Sequence, residues 1–225
     1  MTPNQVTAAR VLAAFAAVGL FNLGTHALAA DLTAVLLTVV AIALDGVDGY
    51  LARTRGLATS LGAQLDILGD RMVENVFFTC FAVSGLISLW VPVLFFSRGA
   101  LTDFLRGLAA RSGRIGFGRN SMLETWWGRS LVASRASRAA YAALKCVCFC
   151  CLGLMLSLHH AALAQSSAWI GDSVARGLLV AAQALTALAV TFCLVRAIPI
   201  VWEGRRYLAL AEKAPKALAV TAVTR

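Results

Sequence analysis

Asp45-Gly46-Val47-Asp48-Gly49-Tyr50-Leu51-Ala52-Arg53, followed by Gly62, Asp66 and Asp70, sets four carboxylates in apolar surroundings. Ala41-Ile42-Ala43-Leu44 leads into the first pair, and Val76-Phe77-Phe78 follows the second. Carboxylates in such segments are costly unless they meet a cation, a partner or water. Asp45 and Asp48 are three residues apart and Asp66 and Asp70 four, so each pair lies on one face of a helix. Arg53-Thr54-Arg55-Gly56 reads as a polar turn. A helical hairpin centred on Leu57 puts Asp48 and Asp66 each nine residues from the turn, and Asp45 and Asp70 twelve and thirteen. Helices rise at equal rates, so four carboxylates are expected at one depth. Four bare charges at one point repel strongly. One or two divalent cations resolve that repulsion, and all-oxygen ligands favour Mg²⁺, Mn²⁺ or Ca²⁺ over zinc or copper.

The rest of the chain says what kind of protein carries this hairpin. It has 225 residues, 60% hydrophobic and 14% charged, with a mean hydropathy of +0.78. That is the composition of an all-α, polytopic membrane bundle embedded in a lipid bilayer, read as a single domain over residues 1–225. The formal net charge of +9 is assigned to loops facing anionic cytoplasmic lipid; nucleic acid is excluded as a partner. The six cysteines, Cys80, Cys146, Cys148, Cys150, Cys151 and Cys193, make no paired C-x2-C pattern and lie in apolar sequence. Neither zinc nor a disulfide framework is expected.

Six spans are predicted. Thr2-Pro3-Asn4-Gln5 reads as a capped start, with a first helix over Val6 to Leu23. The second runs from Leu32 to Ala52, the third from Ser60 to Leu89 and the fourth from Pro92 to Ala110. The fifth carries Arg135, Arg138, Tyr141 and Lys145 and reaches Leu158; the sixth runs from Ser173 to Trp202, before a basic tail with Arg205, Arg206, Lys213 and Lys216. Trp126 and Trp127 read as interfacial anchors. The turns near His26, Leu86 to Val91 and His159 to Asp172 contain no lysine or arginine. Both termini and the carboxylates are therefore expected on the cytoplasmic side of the cell (inner) membrane. A competing reading takes Ala27-Leu28-Ala29 as a signal-peptidase site, but Arg10 is the only positive side chain ahead of it. Glu74 continues the Asp66, Asp70 four-residue steps and is expected to pair with Arg71 or a distant arginine.

The pattern D-x2-D-G-x2-A-R-x8-G-x3-D-x3-D, filled by Asp45, Asp48, Gly49, Ala52, Arg53, Gly62, Asp66 and Asp70, resembles the signature of the CDP-alcohol phosphotransferase family. The resemblance implies a transferase of phospholipid biosynthesis. A phosphatidyl group passes from CDP-diacylglycerol to an alcohol and CMP leaves. It implies Mg²⁺ or Mn²⁺, two ions, held by Asp45, Asp48, Asp66 and Asp70, with Asp70 also the general base. It implies a nucleotide site at Gly49, Ala52, Arg53 and Gly62, extended by Asn4 and Thr7 of an Asn-x2-Thr-x2-Arg opening that ends at Arg10. It also implies a homodimer.

Arg98, Arg106, Arg138, Lys145 and Arg196 fall near predicted cytoplasmic helix ends. Arginine binds phosphate bidentately, so these residues are candidates for a phosphorylated acceptor. Glycerol 3-phosphate is the favoured small polar alcohol, as in phosphatidylglycerophosphate synthases. Asp70-Arg71 departs from the Asp-Lys step of that subgroup and is more like inositol phosphate synthases, so an inositol phosphate is the alternative. Readings of another class are a cation transporter using the Asp cluster as its path, and a non-catalytic bundle. A transporter needs carboxylates at several depths. Asp31 and Asp172 are placed at the opposite face with no acidic residue between them and the cluster.

Overall fold

Thr2 and Gln5 start the first helix by bonding to each other. The Gln5 N–H donates to Thr2 Oγ1 at 3.4 Å, and the Thr2 N–H donates to Gln5 Oε1 at 2.9 Å. This is the expected reciprocal cap, with Pro3 in the first turn. The computed structural model describes residues 2–23, 28–54, 60–114, 121–163 and 172–223, without the side chains of 3, 28, 47–54, 60–61, 163, 172 and 211–223. The predicted turn at Leu57 and the alternative cleavage point at Ala27 lie outside the described residues.

Every long element among them is helical: α1 Pro3–Phe21, α2 Leu28–Thr54, α3 Ser60–Val83, α4 Trp90–Arg111, the single turn α5 Trp126–Gly128, α6 Arg135–Leu163 and α7 Asp172–Val223. A π-helical turn, Arg129–Ala133, joins α5 to α6. Two helix ends differ from the pattern reading. α3 stops at Val83, not Leu89, because Gly85 takes φ +77°. Its N–H donates to the Ala82 carbonyl and that of Leu86 to Phe81, both closing the last turn. α4 ends in the same way at Gly113, φ +74°. Conversely, α7 continues past Trp202 to Val223.

Asn4–Phe21, Ala29–Gly46, Arg135–Ala162 and Ser173–Leu210 are long and apolar enough to cross a membrane. α3 and α4, with 24 and 22 residues, are about 36 and 33 Å long, yet each carries several charges. Leu12, Leu36, Trp90, Phe96, Phe104 and Val180 all lie more than half exposed, the surface expected of helices facing lipid.

The chain forms two compact units. The first comprises residues 1–95 and 143–189. In it α1 packs on α2 and α3. One face of α3 reads Asp66, Asp70, Glu74, then Phe77, Phe78 and Phe81. The three phenylalanines are fully buried and meet Phe149 of α6, with ring centroids 5.1 Å from Phe77 and 4.9 Å from Phe78. The aromatic part of that face anchors α3; its acidic part carries the site.

The second unit comprises residues 96–142 and 190–225. Leu105, Ala109, Met122, Leu123, Val132, Ile200 and Tyr207 form its core. Gly204 permits the approach of α4, since a Cβ there would lie 3.0 Å from Leu105 Cδ1. Arg196 ties α7 to the π-helical turn: its Nη1 donates to the Leu131 carbonyl at 3.0 Å and its Nη2 to Val132 at 3.2 Å.

Candidate metal centre

Asp45 comes from α2 and Asp66 and Asp70 from α3, and the three meet as the equal-depth argument requires. One carboxylate oxygen from each lies within 4.8 Å of the others. The side chains are 40%, 47% and 44% exposed, so water reaches the group. Three oxygen donors converging from two helices fit a hard divalent cation. Asp48, Gly49, Ala52 and Arg53 lie on α2, and their side chains fall outside the described residues. Gly62 sits in the first turn of α3, half-buried.

Arg10 is the residue that the spacing argument did not place. It is 1% exposed. Its Nη1 donates to Asp70 Oδ1 at 2.9 Å and pairs with Asp45 Oδ1. Its Nη2 donates to Asp66 Oδ1 at 3.1 Å and to the Asp66 carbonyl at 3.0 Å. The signal was available: an arginine in the middle of an apolar helix needs a carboxylate. Thr7, one turn earlier, is buried; Asn4 is exposed.

Glu74 is paired, as expected of a buried carboxylate. It is 1% exposed and accepts from Arg71 Nη1 at 3.1 Å, while its distant partner is Lys145, at 3.0 Å, rather than an arginine. The other four candidates for the acceptor belong to the second unit. Arg106 donates to Asp103 at 3.0 Å. Arg138 is exposed. Arg196 is buried and engaged by Leu131, Val132 and Ser137. Arg98 is buried with an Nε that finds no hydrogen-bond partner among the described residues. Arg98 and Arg138 both lie within electrostatic reach of Arg196.

A further carboxylate escaped the sequence reading. Glu203, 2% exposed, accepts from the Glu124 N–H at 2.6 Å and from the Thr125 hydroxyl. Arg206 bridges it to Glu124. A Cβ on Gly128 would lie 2.8 Å from Glu203 Oε1, so that position must be small.

Residues 1–195 match the family described as CDP-alcohol phosphatidyltransferase. A CDP-diacylglycerol–glycerol-3-phosphate 3-phosphatidyltransferase of Bacillus subtilis (strain 168) is 29% identical over 124 residues, which cover 50% of this chain and 64% of that protein. A probable phosphatidylglycerophosphate synthase of Mycobacterium tuberculosis (strain CDC 1551 / Oshkosh) is 32% identical over 107 residues, 48% of this chain and 51% of the relative. The chain thus spans between half and two thirds of the curated relatives it matches. With a family match over residues 1–195 of 225, this chain belongs to the CDP-alcohol phosphatidyltransferase family.

Proposed function

We propose that this protein moves the phosphatidyl group of CDP-diacylglycerol to glycerol 3-phosphate and releases CMP. The observation that carries the reading is the convergence of Asp45, Asp66 and Asp70 in a chain of this family. The names of the relatives support the acceptor. So does the grouping of Arg98, Arg138 and Arg196 in the second unit, because guanidinium groups suit a phosphate dianion.

Asp45, Asp48, Asp66 and Asp70 would hold Mg²⁺ or Mn²⁺, two ions in the full set. Such ions, when bound, neutralise charge on a pyrophosphate as its bridging bond breaks. The protein's own residues do the rest. Gly49 and Ala52 leave room for the nucleotide along α2; Arg53, Gly62, Asn4 and Thr7 line its approach. Arg98 and Arg138 of the second unit supply positive charge for the acceptor, in the field of Arg196. Asp70, open to water, takes the proton of the acceptor hydroxyl. The hydroxyl oxygen forms its bond to the lipid-bearing phosphorus, the bond from that phosphorus to CMP breaks, and CMP leaves with the electron pair.

The same reading makes the chain one catalytic domain of six spans in the cytoplasmic membrane, with α3 and α4 added to the four strongly apolar helices. Its termini and acidic centre face the cytoplasm, and it functions as a homodimer.

The test is CMP release from CDP-diacylglycerol by the purified protein with Mg²⁺ or Mn²⁺. Glycerol 3-phosphate, inositol phosphate, inositol, serine and choline are compared, with Asp70→Asn alongside. Release with glycerol 3-phosphate alone, lost in the variant, is expected. Release only with inositol phosphate would reassign the acceptor; release with none would overturn the reading.

A further inference from the structure

The three carboxylates already hold a cation, and it is part of the chain. Arg10 reaches them from α1, and its two terminal nitrogens engage the Oδ1 atoms of Asp45, Asp66 and Asp70. The path is cut for it. A Cβ on Gly69 would lie 2.8 Å from Arg10 Nη2 and 2.9 Å from Thr7 Cγ2, so only glycine on α3 lets the guanidinium lie there. Arg10 comes from the buried side, while the carboxylates stay nearly half exposed on the other.

A divalent ion would bind these oxygens at about 2.0–2.6 Å. A guanidinium hydrogen-bonded to the same atoms would then stand a few ångströms from it, and like charges at that range repel strongly. We propose that Arg10 is an exchangeable counter-cation. It neutralises Asp45, Asp66 and Asp70 when no metal is held, and it leaves their Oδ1 atoms when metal binds. This rests on the reading of the cluster as a metal centre. It gives Arg10 a positioning role that the acidic spacing does not contain. The protein keeps its carboxylates together without metal, and every ion that enters does so against the arginine.

Mn²⁺ binding, followed by the electron paramagnetic resonance of the free ion, tests this on the full chain in detergent. Arg10→Gln is expected to bind Mn²⁺ at least about tenfold more tightly than the wild type, with Arg10→Lys between them. Asp45→Asn, the control, should bind more weakly. Equal or weaker binding by Arg10→Gln overturns the exchange while leaving the metal centre standing. No Mn²⁺ binding by the wild type overturns both. Should Arg10→Gln fail to fold, phenylglyoxal modification of the wild type decides, read at Arg10 by mass spectrometry. Faster modification with saturating Mg²⁺ than with chelator supports displacement; equal rates overturn it.

Discussion

Lys145 Nζ lies 3.0 Å from Glu74 Oε1, which joins α6 to α3 one helical turn beyond Asp70. Glu74 is buried and Lys145 is mostly so. Removing Lys145 leaves the buried Glu74 carboxylate with Arg71, so one of its charge-assisted contacts goes and the other stays. Lys145→Met is therefore expected to lower stability by about 1.5–3 kcal/mol, the contribution of one hydrogen bond to a charged group, read as an earlier thermal transition in detergent. Glu74→Met combined with Lys145→Met should regain most of it. A raised KM for glycerol 3-phosphate with unchanged stability would instead assign Lys145 to the acceptor.

Arg98 and Arg196 are both buried arginines, with opposite expectations. Arg196 bonds two carbonyls of the π-helical turn and Ser137, so Arg196→Met should lose about 2–4 kcal/mol through orphaned acceptors. Arg98 has a buried Nε with no partner among the described residues, so Arg98→Met should cost no stability. Its effect belongs to function: an acceptor KM raised about tenfold or more, as befits a lost phosphate contact. Steady-state kinetics with thermal unfolding separates the two.

Glu203 pins the segment at Glu124 and Thr125 through its carboxylate. Glu203→Gln keeps the shape and removes the charge. Charge-assisted bonds to a buried group contribute about 1.5–3 kcal/mol, so that much stability should go. Limited proteolysis should then cut between residues 121 and 128, where the wild type resists.

Glu124 supplies a pH dependence. The Arg206 hydrogen bond, and then its charge, hold the Glu124 carboxyl below its ordinary value of 4.5. A carboxylate depressed in the folded state adds stability that is complete above the unfolded value. That stability fades as pH falls through the lower folded one. Glu124→Gln should therefore match the wild type at strongly acidic pH and be slightly less stable from about pH 5 upward. Because Glu124 is exposed, the difference should shrink in high salt.

The acidic centre was legible because helix geometry is regular. Equal rise on either side of a turn puts Asp45, Asp66 and Asp70 at one level whatever the turn itself does. Glu74 was legible because burial demands a partner, but α6 supplied a lysine that spacing along α3 could not nominate. The end of α3 was missed because the apolar run continues past Gly85, and one glycine outweighed it. The carboxylate partners of Arg10, and Glu203 altogether, were missed for a common reason. The partners lie far off in sequence, on α2 and α3 for Arg10 and in the non-helical segment at Glu124 and Thr125 for Glu203, and no local period encodes such pairings. Arg196 was legible as special, flanked by apolar residues, yet its hydrogen bonds go to backbone carbonyls.

The Arg10 bridge also bears on the order of synthesis. Arg10 and Asp70 are 60 residues apart, and translation at roughly 5–20 residues per second separates them by about 3–12 s. In a chain inserted as it is made, α1 carries an arginine that can meet Asp45 once α2 is made but lacks Asp66 and Asp70 until α3 emerges. The first helix then cannot take its final depth alone. Biogenesis of the first three helices becomes one concerted event, and a ribosome stalled between Arg10 and Asp66 leaves an intermediate open to quality control.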